Sequence, residues 1–417
     1  MAEKGAKNET DAIVSKVSGP KLIVSCRPHI YKESRLQLFS LLSRMEYNLS
    51  SDEWGLLKDE KMFIANMYFS NDITDKMNVT QVMKEVNFFP LFCKCSEYKS
   101  SDEVIKLFTA PVDTVTKDVY HIVHTHKEQF CALVLCILFE NGFNIDWLEL
   151  YSAFQNIKDK LEDILKEFDI DFSKQMYRNS LRFGFSSLNG TYLKRRGTHY
   201  KMIHDKMYQL AAVICGQHLT GCFIKYAPAI FIRDHFIFES ILKGKASDDL
   251  ILLPKDKEEN YFERLLKDLK EYDITSTFHN KQLTYQLFIN KLIGFFGRNN
   301  KAISLLRTLD TEGCETKGVD YYETLLTTPL IESASGGYYN IVYFLIAIVK
   351  SNVKREDERG RTSLYTAAES GNIDVVNLLL ENNADVLHYN YDKESPLYAA
   401  CKGGHKKNSG SVTAEPC

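Results

Sequence analysis

Near the C-terminal end, apolar and polar positions return three times in the same order. Thr328 opens TPLIESASGGYYNIVYFLI, Thr362 opens TSLYTAAESGNIDVVNLLLENNADV, and Ser395 opens SPLYAACKGGH. The step is 34 residues from Thr328 to Thr362 and 33 from Thr362 to Ser395. Each copy begins with a hydroxyl side chain suited to capping a helix. Small residues follow (Ala334, Ala367 and Ala368, Ala399 and Ala400) that let paired helices approach closely. Gly337, Gly371 and Gly404 then stand where a left-handed turn is cheap for glycine. Ile373, Val375, Val376, Leu378, Leu379 and Leu380 give the apolar face of a second helix. The pattern predicts stacked helix pairs. Only 328–361 and 362–394 are complete copies, and the third stops after Gly404-His405. Stacks of this kind need about three repeats to bury a continuous core. The first copy is therefore expected to lean on the helices before it. GRNNKAISLLRTL at 297–309 reads as a degenerate capping repeat, with Ile303, Leu305 and Leu306 matching Val342, Phe344 and Leu345. At the far end Val376, Leu379 and Leu380 are expected to lack part of their cover.

Elsewhere the pattern is mostly helical. Residues 1–20 are polar and predict disorder, and KLIVSC at 21–26 reads as a buried strand ending at Arg27-Pro28. Helical spacing runs from 34 to 108, interrupted at Pro90 within FFPLFCKC. A second unit begins near 117, where HIVHTHKEQFCALVLCILFENG (121–142) predicts one strongly apolar helix ending at Gly142. TYLKRRGTHYKMIH (191–204) predicts a hairpin turning at Arg196-Gly197, with a helix entered at Asp205. Helices followed by such a hairpin predict a winged-helix module. Residues 218 to about 320 read as further helices.

Composition narrows the function classes. A chain of 417 residues with 44% hydrophobic positions can fill several cores. The net charge of −3 does not point globally to nucleic acid or an anionic membrane. Ten cysteines without C-x-x-C spacing, and no basic-then-apolar leader, predict reduced thiols in the cytoplasm. CALVLCILF (131–139) and YFLIAIV (343–349) are too short to span a bilayer. His121, His124 and His126 have no carboxylate or thiol at ligand spacing and read as surface or core residues, so no metal site is expected. Cys93-x-Cys95 reads as core. No spacing of side chains argues for a catalytic residue. Lys194, Arg195, Arg196 and Lys201 make the hairpin basic, which in a DNA-binding module would meet phosphate.

Several motifs carry a resemblance. The period with its Thr-Pro-Leu, Ala and Gly positions resembles ankyrin repeats. KLIVSCR at 21–27 resembles the strand that bears the sensor arginine of STAND-class ATPases, the signal-transduction NTPases related to NOD-like and plant disease-resistance receptors. Arg27 stands where that arginine senses the nucleotide's terminal phosphate, a task suited to a bidentate guanidinium. FFP at 88–90 lies where the family's helical lid has Gly-x-Pro; Pro90 fits the base-packing proline, while Phe88 replaces the glycine. IHD at 203–205 lies where the family has Met-His-Asp, so that His204 would face the β-phosphate of bound ADP and Asp205 would cap the next helix. The resemblance spans roughly 20–405 and is closest to invertebrate-type members that end in ankyrin repeats.

What it implies is a mainly α chain. The segments would be a disordered N-terminus (1–20), a C-terminal remnant of an α/β P-loop ATPase core (21–48) and a helical lid (49–112). After these come an α+β winged helix (117–217), a helical connector (218–322), an ankyrin solenoid (323–405) and a disordered tail (406–417). No G-x-x-x-x-G-K-[ST] occurs in the sequence, so the resemblance leaves the phosphate cradle and its magnesium site upstream or absent. Losing that cradle removes at least three charge-assisted bonds, each worth about 1.5–3 kcal/mol. The expected function is a cytoplasmic regulatory scaffold that binds an unidentified protein partner through its repeats. It would derive from a nucleotide-switch signalling protein, innate-immune signalling included, and would be neither enzyme nor cofactor-bound as it stands. ADP or ATP with Mg would belong to a full-length parent. Neither membrane nor nucleic acid is expected as a partner. Two alternatives stay open: part of an active ADP/ATP switch whose P-loop half lies upstream or in another chain, and a winged-helix nucleic-acid binder.

Overall fold

The computed structural model describes residues 58–79, 92, 93, 96, 100–139, 142–149, 155–242, 244, 247, 249–317 and 324–404. The segment 1–20, the strand 21–26 with Arg27, Pro90, Cys95 and the tail 406–417 lie outside them. The described chain is mainly helical, with three small sheets.

Helices Lys58–Tyr68, Asn71–Val79 and Ser101–Thr109 share a small core of Ala65, Met77, Cys93, Val104 and Phe108. The expected single helix over 121–142 is in fact two, Pro111–Thr125 and Lys127–Leu138, parted at His126. The two stretches differ in kind. The first is amphipathic, burying Val115, Val119 and Ile122, whereas the second is buried on every side from Phe130 to Leu138. The break is local: His126 leaves the helical region at φ −131, ψ 80, just after Thr125 bonds back to the His121 carbonyl at 2.6 Å, a contact that bends helices. The helix Pro111–Thr125 also runs unbroken through the boundary drawn at 112–117.

Around the buried helix the chain builds a compact unit. Strand β1 (Phe143–Asn144) follows it, then helices Gln155–Lys166 and Gln175–Leu188, then β2 (Leu193–Arg196) and β3 (His199–Met202). Both pairings are antiparallel, in the order β1-β3-β2, with Leu193 opposite Met202 and Arg196 opposite His199. Gly197 at the turn has φ +61, a conformation that suits glycine. Helix Gln175–Leu188 lies against Lys127–Leu138 so closely that a Cβ on Gly184 would sit 2.5 Å from the Glu128 carbonyl oxygen. Phe143 and Phe185 stack at 4.9 Å, and Lys160 Nζ donates to the Leu138 carbonyl at 2.7 Å, satisfying the end of the buried helix.

Helices Asp205–His218, Thr220–Tyr226 and Ala229–His235 continue the core. The region expected to be purely helical also holds a parallel strand pair, β4 (Phe236–Phe238) and β5 (Ile251–Leu253). Both strands are short apolar runs, which periodicity alone cannot tell from buried helix. Beneath them the hydroxyl of buried Tyr261 donates to the Ile232 carbonyl (3.0 Å) and accepts from Asn280 Nδ2 (2.8 Å). Arg264 bonds Asp268 and the Ile224 and Ala227 carbonyls, each at 2.7 Å. These buried polar groups have partners and serve as joinery.

The array follows. Helices Gln286–Arg298 and Asn300–Glu312 lead into the hairpin of β6 (Cys314–Lys317) and β7 (Thr324–Thr327). Then come the pair Pro329–Ser335 and Tyr339–Phe344, the pair Ser363–Glu369 and Ile373–Glu381, and the single helix Pro396–Lys402. The helix from Tyr339 widens into a π turn over Leu345–Val349 and stops at Lys350, φ +66. Cys93, Cys131, Cys136, Cys215, Cys222 and Cys314 are buried free thiols, whereas Cys401 is exposed. Burial pushes the Cys93 and Cys222 thiols up to about 12.

Candidate protein-binding surface

The frame of the array repeats bond by bond. Thr328, Thr362 and Ser395 each accept, through the side-chain oxygen, the backbone N–H three residues on (Ile331, Tyr365, Tyr398) at 3.2–3.3 Å. The first helices of the copies lie side by side, with Ala334, Ala367, Ala368, Ala399 and Ala400 buried between them. Asn372 Nδ2 donates to the carbonyls of Ala334 (3.0 Å) and Ser335 (2.9 Å), tying one copy to the one before. It reaches them over Gly337, where a Cβ would lie 2.4 Å from its Oδ1.

Support also comes from before the first complete copy. Arg307 donates to the carbonyls of Val349 (2.7 Å) and Ile348 (3.3 Å), and Asp310 accepts from the Asn352 N–H at 2.8 Å. Burial holds the Asp310 carboxyl above its ordinary pKa. His279 Nε2 lies 3.0 Å from Glu332, fixing the connector to the first helix of the array. At the other end the expected shortfall in cover is corrected for two residues. Val376 and Leu379 are fully buried and Leu380 half-buried, and Ala384, Val386 and Leu397 pack as partly buried residues against the same apolar core.

The loops joining the copies make a second regular feature. Asp357 and Asn390, 33 residues apart, each use a side-chain oxygen to accept a backbone N–H four residues on: Arg361 at 2.8 Å and Glu394 at 2.8 Å. The loops stack, with the Tyr391 N–H donating to the Arg359 carbonyl at 3.1 Å and the Tyr391 ring lying over Gly360. The Glu394 carboxylate then collects the Tyr365 hydroxyl (2.6 Å), Lys402 Nζ (3.1 Å) and Asn390 Nδ2 (3.2 Å). The Tyr365 hydroxyl first, then Lys402, hold that carboxyl below its ordinary pKa.

This rigid frame presents large side chains to solvent. Leu387 is 72% exposed, Tyr391 69%, Tyr389 58% and Tyr398 53%, while Asn390 between the two loop tyrosines is buried. A run of tyrosines on well-bonded loops offers contact area at low entropic cost. On the second helices, Tyr339, Asp374, Asn377, Leu378 and Glu381 line a shallow open cleft of about 310 Å³. Sequence reasoning centred on the helices and missed the loop tyrosines; LHYNY at 387–391 was the signal for them.

Of the residues assigned to a nucleotide, Arg27 and Pro90 lie outside the described residues. His204 is half-buried and directly precedes helix Asp205–His218, its carbonyl accepting the Tyr208 N–H at 2.9 Å. The helix entered at Asp205 thus begins there. The three nearby histidines part company, His121 facing His126 (5.4 Å between rings) and His124 facing His218 (5.0 Å). Among the described residues no group of three or more His, Cys, Asp or Glu side chains could hold a metal. Nor is any described helix long and apolar enough to cross a membrane.

Comparison with known proteins agrees with this geometry. The family model for ankyrin repeats matches residues 297–390 in three copies, so its match begins at the segment read as a degenerate cap. An ankyrin repeat and KH domain-containing protein of Caenorhabditis briggsae is 33% identical over 129 residues, which is 30% of this chain and 5% of that protein. The ankyrin repeat and KH domain-containing protein mask of Drosophila melanogaster is 39% identical over 54 residues, 13% of this chain and 1% of its own length. The chain thus spans only a small fraction of these relatives. Its C-terminal region is built of ankyrin repeats.

Proposed function

We propose that this chain is a cytoplasmic regulatory scaffold that holds a protein partner on its ankyrin repeats. The observation that carries the reading is the exposed set Leu387, Tyr389, Tyr391 and Tyr398 on a frame of repeated hydrogen bonds. Aromatic anchors of this kind supply most of the energy at protein interfaces. Peptides selected by display against the full chain provide the test. Binders should lose at least about tenfold in affinity when Tyr391→Ala and Tyr398→Ala are combined, roughly 1.4 kcal/mol. They should keep it with Tyr272→Ala, an exposed tyrosine outside the array. Binders indifferent to the double substitution would remove the reading.

A second reading concerns ancestry. The succession buried helix, β1, two helices, β2–β3 hairpin, with the sheet order β1-β3-β2, supports a winged-helix module over 117–217. With His204 at the start of the following helix, it supports descent from a STAND nucleotide switch of a signalling, innate-immune kind. In this reading the chain as it stands hydrolyses no ATP and holds no nucleotide tightly. Calorimetry with ATP, ADP and Mg should give affinities weaker than micromolar, and a micromolar site would overturn that part alone.

A further inference from the structure

From Lys174 to His204 the chain has no Asp or Glu at all, although 55 in 417 residues would place about four there. Seven cations fall in the same stretch. Three of them are committed within the fold: Lys174 pairs with Asp171, Arg182 with Glu149, and buried Arg178 donates to the Phe172 and Ser173 carbonyls at 2.8 Å. The other four, Lys194, Arg195, Arg196 and Lys201, are exposed on the hairpin and make no ion pair among the described residues; of these Arg195 is turned onto the Gly197 carbonyl (2.8 Å) and the Tyr200 ring.

Their register is costly. Lys194 stands directly opposite Lys201, and Arg196 opposite His199. Positions two apart on a strand share a face, so Lys194, Arg196, His199 and Lys201 line one side of the hairpin. Like charges directly opposite each other destabilise a sheet. The stem of Lys201 is also laid across Gly142, where a Cβ would come within 2.4 Å of its Cγ. Residues 1–57 offer no acidic run as a complement, with eight Lys and Arg against seven Asp and Glu.

We propose that this hairpin face docks a polyanionic backbone, and that its partner is nucleic acid. Cations two residues apart along a strand stand roughly 7 Å from each other, and a backbone charged at every nucleotide can meet each of them. The adjoining helix Gln175–Leu188, acid-free throughout, exposes Asn179 and Phe183, the latter 71% accessible. An amide and a ring of this kind suit a groove or an unstacked base. The hairpin tip, Gly197-Thr198, has no apolar side chain to insert into a bilayer. Whole-chain charge gave no such expectation, because the acidic residues lie elsewhere. The inference is independent of the repeat surface.

The full chain is titrated with short duplex DNA and duplex RNA by fluorescence anisotropy between about 50 and 200 mM salt. With three phosphate contacts, log affinity for DNA should fall against log salt with a slope of about −3, at about 0.9 per contact. Lys194→Glu should weaken binding at least about tenfold. The same variant should melt no lower than the wild type, since the new carboxylate would face Lys201 as an opposite charge. A Lys354→Ala chain, altered in an array loop, should bind as the wild type does. The proposal fails if no duplex binds at about 50 mM salt, or if Lys194→Glu binds undiminished. It fails equally if polyglutamate or phosphatidylserine vesicles bind as tightly as nucleic acid.

Discussion

The repeat array and the unit from Lys127 to Met202 are held by opposite strategies. In the array the Thr and Ser caps act inside each copy, and the ties between copies run only to the neighbour: the bond from Asn372 to Ala334 and the loop stacked from Tyr391 onto Arg359. In the 127–202 unit the deciding contacts cross long stretches of chain. Cys136 Sγ meets the Tyr200 carbonyl at 3.5 Å across 64 residues, and Gln129 reaches Ser187 across 58. Neighbour-only packing makes stability a sum over copies and interfaces. Long-range packing makes it cooperative across the whole unit. The two regions should therefore fail differently.

Removing the neighbour is the harshest test. A fragment from 323 onward loses Arg307, Asp310 and both preceding helices, which leaves the Val349 and Ile348 carbonyls and the Asn352 N–H without their partners. It should show no cooperative thermal transition, and a sharp monomeric melt would contradict neighbour-dependence outright. Next in size, Phe185→Ala should cost about 3–5 kcal/mol. Hydrogen exchange should then rise across 127–202 while 363–402 stays protected; equal loss in both would mean that the chain unfolds as one body.

The junction comes third. Burial raises the Glu332 carboxyl, but the hydrogen bond and charge of His279, with help from Arg361, bring it net below its ordinary 4.5. A carboxyl lowered by folding binds fewer protons than in the unfolded chain. Its contribution is thus fully present above about pH 4.5 and lost as pH falls through the folded value. Glu332→Gln should remove that acid-limb slope and cost about 1–2 kcal/mol at pH 7, read from denaturant midpoints. Smallest, Thr362→Ala should cost about 1 kcal/mol by deleting one cap. A larger loss would show that the cap also governs the interface with its neighbour.

The same contrast explains what could be read in advance. Periodicity carried the array, because Thr328, Thr362 and Ser395 do the same local job at a fixed step. It did not carry the break at His126, where the backbone leaves the helical region inside a stretch whose pattern reads as one helix. Nor did it separate the β4 and β5 strands from buried helix, since FIF and ILL have no face to declare. Nor did it carry the full burial of Val376 and Leu379, which depends on packing beyond their own helix. Of the candidate surface, the helical frame was legible and the loop tyrosines were not, since their role depends on the bonds that hold Asn390 and Glu394 between them.

The thiols turn this division into something measurable without any engineering. Cys131, Cys136, Cys215 and Cys222 are sealed in or beside the 127–202 unit, Cys314 is sealed at the root of the array, and Cys401 stands open on its last helix. Burial raises the pKa of every sealed thiol, so each reacts only when its surroundings part. The protein thus carries its own set of clocks. A brief pulse of alkylating reagent, read peptide by peptide, would time each region's opening against Cys401, which never waits.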